Sequence, residues 1–187
     1  MAAESGARPT VVPADGGDPL WFLGTFVRVK LDGAQTDGRL GVFDGVLPRG
    51  AAPPLHSHPQ DETFYILDGD VTVWIVEAEL VGGADEQPPA WVAERARRCG
   101  AGAVAYAPGG TPHCFRVESD TARMLVLSTP AGIEQYARAL AEPATWPWLP
   151  PPPDGPRVPA DRMESVEREL GMVRHGPPPP PVDQAAD

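Results

Sequence analysis

The sequence predicts an all-β fold, a sandwich or barrel of short strands, with helix confined to the C-terminal part. Three observations predict it. Segments rich in Val, Leu and aromatic residues recur between residues 21 and 129, each only a few residues long. Gly, Pro or Asp bounds nearly every one of them, and turn signals at that regular spacing mark sandwiches and barrels. The chain has 187 residues and a hydrophobic fraction of 42%, enough to bury one core but short for two.

Taken in order, residues 1–19 are rich in Pro, Gly and Asp and read as a flexible lead. Residues 20–129 form the strand-bearing body, and 130–187 hold a helix, a Pro-rich connector, a short helix and an extended tail. WFLGTFVRVKL, from Trp21 to Leu31, reads as the first strand and stops at the turn dipeptide Asp32-Gly33. RLGVFDGVL, from Arg39 to Leu47, is the second, ended by Pro48-Arg49-Gly50. APPLHSH, ETFYIL, DVTVWIVE, AVAYAP, HCFRVE and ARMLVLS follow. Leu67-Asp68-Gly69-Asp70 reads as a tight hairpin, because Asp-Gly accepts the positive φ angles of a two-residue turn. After DVTVWIVE, Gly-Gly and Pro-Pro make a loop, and WVAERARR beyond it reads as a strand. IEQYARALAE, preceded by Pro130, is an amphipathic helix with Ile133, Tyr136, Ala137 and Leu140 on one face. WPWLPPPPDGPRVP is a rigid connector whose Trp146 and Trp148 pack on the domain exterior. Asp161 to Leu170 is a terminal helix, and HGPPPPPVDQAAD an extended tail in which His175 has no assigned role.

The formal net charge of -11 repels polyphosphate backbones and anionic membrane surfaces, and no Lys/Arg cluster offsets it. Nucleic acid and membrane are therefore excluded as partners. Lys30 is the only lysine, and the abundance of Ala, Gly and Pro is the bias of a high-GC bacterial genome. The N-terminal stretch has neither the basic nor the apolar region of a secretory signal, and no apolar run is long enough to span a bilayer. Cys99 and Cys114 are too few for a disulfide framework and read as two reduced thiols, which places the protein in the cytoplasm.

Chemistry concentrates in GAAPPLHSHPQDETFYILDG, Gly50 to Gly69. Side chains at i and i+2 of a strand share a face, so His56 and His58 project together with Ser57 on the other side. Pro59 ends that strand, and Glu62 opens the next, beside His58 across the expected hairpin. Further on, GAVAYAPGGTPHCF places His113 at the start of a strand, where Phe115 shares its face and Cys114 points away. Three of the four histidines thus sit at strand ends with one carboxylate. Three imidazoles and a carboxylate make a mixed N/O donor set suited to one divalent transition metal, Fe, Mn, Co, Ni, Cu or Zn.

These stretches resemble the cupin motifs. The first matches a glycine, an H-x-H pair, a glutamate and a closing glycine at Gly50, His56, His58, Glu62 and Gly69. The second is matched at Gly102, Pro108, Gly110 and His113, with Val117 where the motif has Asn and Ala103 where cupins often carry Asp. More narrowly the chain is similar to bacterial single-domain quercetin dioxygenase-like cupins, over about Trp21 to Pro143. The resemblance implies a jelly-roll β-barrel, followed by short C-terminal helices, that holds a divalent metal through His56, His58, Glu62 and His113. It also implies that the glutamate can deprotonate a substrate hydroxyl, which makes Glu62 the candidate catalytic base. Cupins often pair as homodimers.

Phe64 and Phe115 repeat the parity of Glu62 and His113 and are expected as apolar walls of a substrate pocket. An open metal within such walls suits a small aromatic or enolic, flavonol-like molecule. The favoured function is a metal-dependent dioxygenase. The alternatives are a non-oxidative isomerase or cyclase of polyketide-type substrates, and a cupin that binds metal or a small ligand without turnover.

Overall fold

A computed structural model of the protein describes residues 6–77, 91–150 and 158–181. The Gly-Gly/Pro-Pro loop, much of the Pro-rich connector and both chain ends lie outside the described residues. The strands are β1 (Asp18–Phe22), β2 (Thr25–Leu31), β3 (Gly41–Pro48), β4 (Leu55–Ser57), β5 (Asp61–Asp68), β6 (Val71–Ile75), β7 (Arg97–Cys99), β8 (Val104–Ala107), β9 (His113–Val117), β10 (Thr121–Thr129), β11 (Glu142–Pro143) and β12 (Val173–Gly176). The helices are α1 (Gly33–Thr36), α2 (Trp91–Glu94), α3 (Ile133–Leu140) and α4 (Ala160–Glu169).

All ladders are antiparallel. One sheet has the order β11-β1-β2-β3-β10-β5-β8 and the other β12-β4-β9-β6-β7. Period-two alternation tells each strand which face to bury. In β10, Ala122, Met124, Val126 and Ser128 are buried while the intervening residues are not. These side chains meet Leu47, Phe64 and Ile66 of the same sheet and Val71, Val73 and Val117 of the other, so one apolar core lies between the sheets. The outer face of the five-stranded sheet carries a second cluster, with Leu55, Trp74 and Cys114 under Val92 of α2. Trp21, Phe26 and Val46 form a third on the outer face of the larger sheet, against Ala144 and Leu149. There the Trp21 indole N–H donates to the Trp148 carbonyl at 2.9 Å, and its ring meets Trp146 edge-on. No helix among the described residues is long and apolar enough to cross a membrane.

The structure corrects four local expectations. The stretch from Trp21 to Leu31 is two strands, β1 and β2, joined at Leu23 and Gly24 with φ of 48° and 87°. Two consecutive positive φ angles make the tight turn, and Leu is a residue that gives no warning of one. Asp68-Gly69 is no hairpin turn: β5 pairs with β10 and β8, whereas β6 pairs with β9 and β7, so this turn carries the chain from one sheet to the other. WVAERARR divides into the helical turn α2 and strand β7, which pairs with β6. Finally, His175 lies within a strand, because β12 adds to the edge of the smaller sheet beside β4.

Helix α3 lies where its apolar periodicity put it, burying Ile133, Ala137 and Leu140. The lead before β1 is tied to β2, with the Lys30 ammonium donating to the carbonyls of Pro13, Ala14 and Gly16 at 3.2, 2.7 and 2.8 Å.

Two glycine positions separate conformational strain from steric exclusion. At Gly24 a Cβ would meet open space, so Gly24→Ala should cost only the left-handed penalty of about 1–2 kcal/mol. At Gly69, with φ of 81°, a Cβ would also collide with the Thr121 carbonyl. Gly69→Ala should therefore lose ~1 kcal/mol or more beyond Gly24→Ala in urea unfolding. Equal losses would show that the sheet-crossing turn has room to move.

Candidate metal centre

Strand register brings the first donors together. On the smaller sheet, His56 of β4 lies directly opposite His113 of β9. His58 follows immediately after β4, before Pro59. Glu62 comes from the other sheet, where it pairs with Ser128 of β10 and Ala107 of β8. Glu62 and His58 are thus not hairpin neighbours, as the sequence suggested. They face each other between the sheets. The donor atoms of His56, His58, Glu62 and His113 all lie within 4.8 Å of one another. Glu62, His58 and His113 expose 5%, 3% and 1% of their surface.

The hydrogen bonds orient the imidazoles toward a common point. His56 Nδ1 and His113 Nδ1 lie 2.8 Å from the carbonyls of Pro54 and Thr111. A carbonyl only accepts, so each Nδ1 carries the proton and each Nε2 is left to the cluster. Glu62 Oε2 lies 2.7 Å from His113 Nε2 and 3.1 Å from His58 Nε2. An Nε2 lone pair facing a carboxylate lone pair at 2.7 Å is repulsive unless a cation stands between them, either a proton or a metal ion. This is the observation that fits the residues to a metal. His58 Nδ1 is buried without a hydrogen-bond partner among the described residues, and that ring is oriented by its bond to Glu62 and by packing against His56 and His113.

The electrostatics follow. Burial, then the neighbouring His113, lowers the His56 pKa to about 3, so this imidazole stays neutral and available as a donor. Burial would push the Glu62 carboxyl up, but hydrogen bonds from His113 and His58 outweigh it and hold the group below the usual carboxylate range. Burial opposes charge on His113 as well, yet its bond to Glu62 prevails and raises its pKa. A buried anion among imidazoles is a site for positive charge.

Asp61 was not legible as part of the site because its side chain points away from the donors. Its Oδ1 accepts from the Gly109 backbone N–H at 2.8 Å and its Oδ2 from the Tyr106 hydroxyl at 2.9 Å. Gly110 N–H donates to the His58 carbonyl at 2.8 Å, and a Cβ at Gly109 would strike the Pro59 carbonyl. These contacts dock the turn before His113 on the turn between His58 and Glu62, fixing the donors' separation.

A cavity of about 320 Å³ opens from the cluster. Phe64 and Phe115 both line it, their rings packed edge to face with centroids 5.7 Å apart. Leu47, Met124 and Val126 continue the apolar wall. The sequence reading missed the far side, built by Tyr136 of α3, Met163 and Glu167 of α4, and Met172 and Arg174 at β12. Only the polarity of Glu167 and Arg174 within a weakly amphipathic terminal helix and strand could have hinted at it. Cys114 faces the outer cluster, and burial pushes its thiol up to about 12, which keeps it out of the chemistry.

No protein-family model matches the chain. A quercetin 2,3-dioxygenase from Bacillus subtilis is 27% identical over 139 residues. The match takes in 74% of this chain but 36% of that protein, so the chain spans about a third of its curated relative. An oxalate decarboxylase variant from Bacillus subtilis has the same fold, with a TM-score of 0.51 and 20% identity over 70% of this chain and 33% of that one. The polyketide cyclase RemF from Streptomyces resistomycificus has a TM-score of 0.47 and 18% identity, over 65% of this chain and 79% of that one.

His58→Ala removes one donor and the ring that bridges to Glu62. After chelator treatment and reloading, the wild type should hold one equivalent of divalent metal and melt higher for it, and the variant should show neither effect. A variant that retains a full equivalent refutes the assignment.

Acid should weaken the metal-free protein through His56. The unfolded chain takes up this proton below about 6.5, while the folded site refuses it until about 3. The stability that depends on neutral His56 is complete above the first value and erodes as pH falls toward the second, by at most ~1.4 kcal/mol per pH unit. His56→Gln should flatten the dependence of unfolding free energy on pH over that interval; an unchanged slope would show that His56 is not held neutral.

Proposed function

We propose that the chain is a cupin and a metal-dependent dioxygenase acting on a small enolic or aromatic substrate, a reading supported by its similarity to a quercetin 2,3-dioxygenase. The observation that carries this reading is a buried cluster of three histidines and one glutamate opening into an apolar cavity. His56, His58, Glu62 and His113 would hold one divalent transition metal, Fe, Mn, Ni, Co, Cu or Zn. When bound, such a metal supplies Lewis acidity toward adjacent substrate oxygens and, if redox-active, electron transfer toward dioxygen.

The chain's own residues supply the rest. Phe64 and Phe115 present aromatic surface to a flat ring and, with Leu47 and Met124, exclude water from it. Water exclusion strengthens each polar interaction at the donors. Glu62 would give one carboxylate oxygen to the metal, leaving the other to take a proton from a substrate hydroxyl. The fixed Nδ1 bonds of His56 and His113 hold their rings still during that transfer.

Oxygen uptake by the metal-loaded protein with a flavonol and simple enolic aromatics tests the proposal. Uptake should match substrate loss and cease after metal removal. Glu62→Gln, with its metal content measured, should turn over ~100-fold more slowly or worse per metal bound. Turnover without oxygen uptake would transfer the chain to the isomerase or cyclase class. Full metal occupancy with no turnover would leave a binding protein.

A further inference from the structure

The C-terminal segment contributes charge to a cavity that is otherwise apolar away from the donors. Arg174 on β12 lies opposite His56 on β4 in the antiparallel register, so both side chains project from the same face of the sheet. Opposed residues in such a pair have Cβ atoms about 5 Å apart. Arg174 lines one cavity with His56, His58 and Glu62, and it is the only lysine or arginine among the described lining residues.

The guanidinium is held in place. Its Nε and Nη2 donate to Glu167 Oε1 at 3.1 and 2.7 Å. The Tyr136 hydroxyl donates to the same oxygen at 3.1 Å. Burial, followed by the Glu167 charge, pushes the Tyr136 phenol up, so it remains a donor. Glu167 is buried and Arg174 half-buried, which limits screening of the pair by water. Two of three guanidinium nitrogens are thus committed, and among the described residues Nη1 makes no hydrogen bond. A salt bridge that served only to fasten β12 to α4 would not need to face the cavity. With a divalent ion at the donors, Arg174 leaves the cavity net positive even when Glu62 and Glu167 are both ionised.

Resting on the function proposed above, we propose that Arg174, positioned by Glu167 and Tyr136, is a specificity-determining residue that engages an anionic oxygen of the substrate. The substrate class is then narrower than enolic or aromatic. It is a small aromatic or enolic acid, with adjacent chelating oxygens at the donor cluster and a carboxylate at Arg174.

Catechol and protocatechuate share the chelating oxygen pair and differ by one carboxylate, so they isolate this contact. Calorimetric titration of the full chain loaded with Zn²⁺, under anaerobic conditions, reads affinity without turnover. Wild type should bind protocatechuate ~10-fold or more tightly than catechol, the scale of one charge-assisted contact. Arg174→Met should bring the ratio to about one while catechol affinity and zinc content stay unchanged. Should Arg174→Met not fold, Arg174→Gln keeps a donor without the charge and should show the same collapse. An equal ratio in wild type and variant overturns the role of Arg174 and leaves the metal reading intact. Loss of both ligands in the variant with zinc retained also overturns it, by assigning Arg174 to cavity architecture. A zinc-loaded wild type that binds neither compound overturns this proposal together with the function on which it rests.

Discussion

A carboxylate buried as deeply as Glu62 has to meet positive charge or lose its own, since desolvation costs several kcal/mol per ion in a protein interior. The rest of the molecule is arranged around that demand. The carboxylate comes from the larger sheet and the three imidazoles come from or beside the smaller one. Neither sheet alone can satisfy the group. Register is fixed as a consequence: sliding β4 by one residue would turn Ser57 inward and His56 outward. The opposition of His56 to His113 and the docking of the two turns through Asp61 are therefore conditions for burying Glu62.

The cavity inherits its character from the same arrangement. Parity along β5 and β9 that points Glu62 and His113 inward also points Phe64 and Phe115 inward. Donors and aromatic walls are thus successive members of one face. The second polar centre has a different origin, because Glu167, Arg174 and Tyr136 belong to elements that follow β10 in the chain. The donor cluster and the Arg174–Glu167 pair face one largely apolar cavity from different parts of the sequence.

Much of the candidate site was legible because it is local. His56, His58 and Glu62 lie within seven residues of one another, and period-two parity orders them without knowledge of the fold. The strand β10 and helix α3 were legible for the same reason, each repeating one periodicity along its length. What failed depends on remote partners or on backbone angles. An Asp-Gly turn looks alike whether it folds a strand back or passes it to another sheet, and only the partners of β5 and β6 decide. Leu23 adopts a left-handed angle that its side chain does not announce. Strand β12 has four residues and ends before a proline run, so nothing nearby marks it; its reason for being a strand is the open edge of β4.

The attachment of β12 to β4 bears on how the protein is made. Ser57 and His175, which meet at 2.8 Å across that edge, are separated by 118 positions. Chains are synthesised from the N-terminus and domains begin to organise as they emerge. All four donors, the latest of them His113, leave the ribosome well before Arg174 does. The stretches that supply the donors and the far wall of the cavity are thus synthesised at different times, although the finished fold brings them to one space.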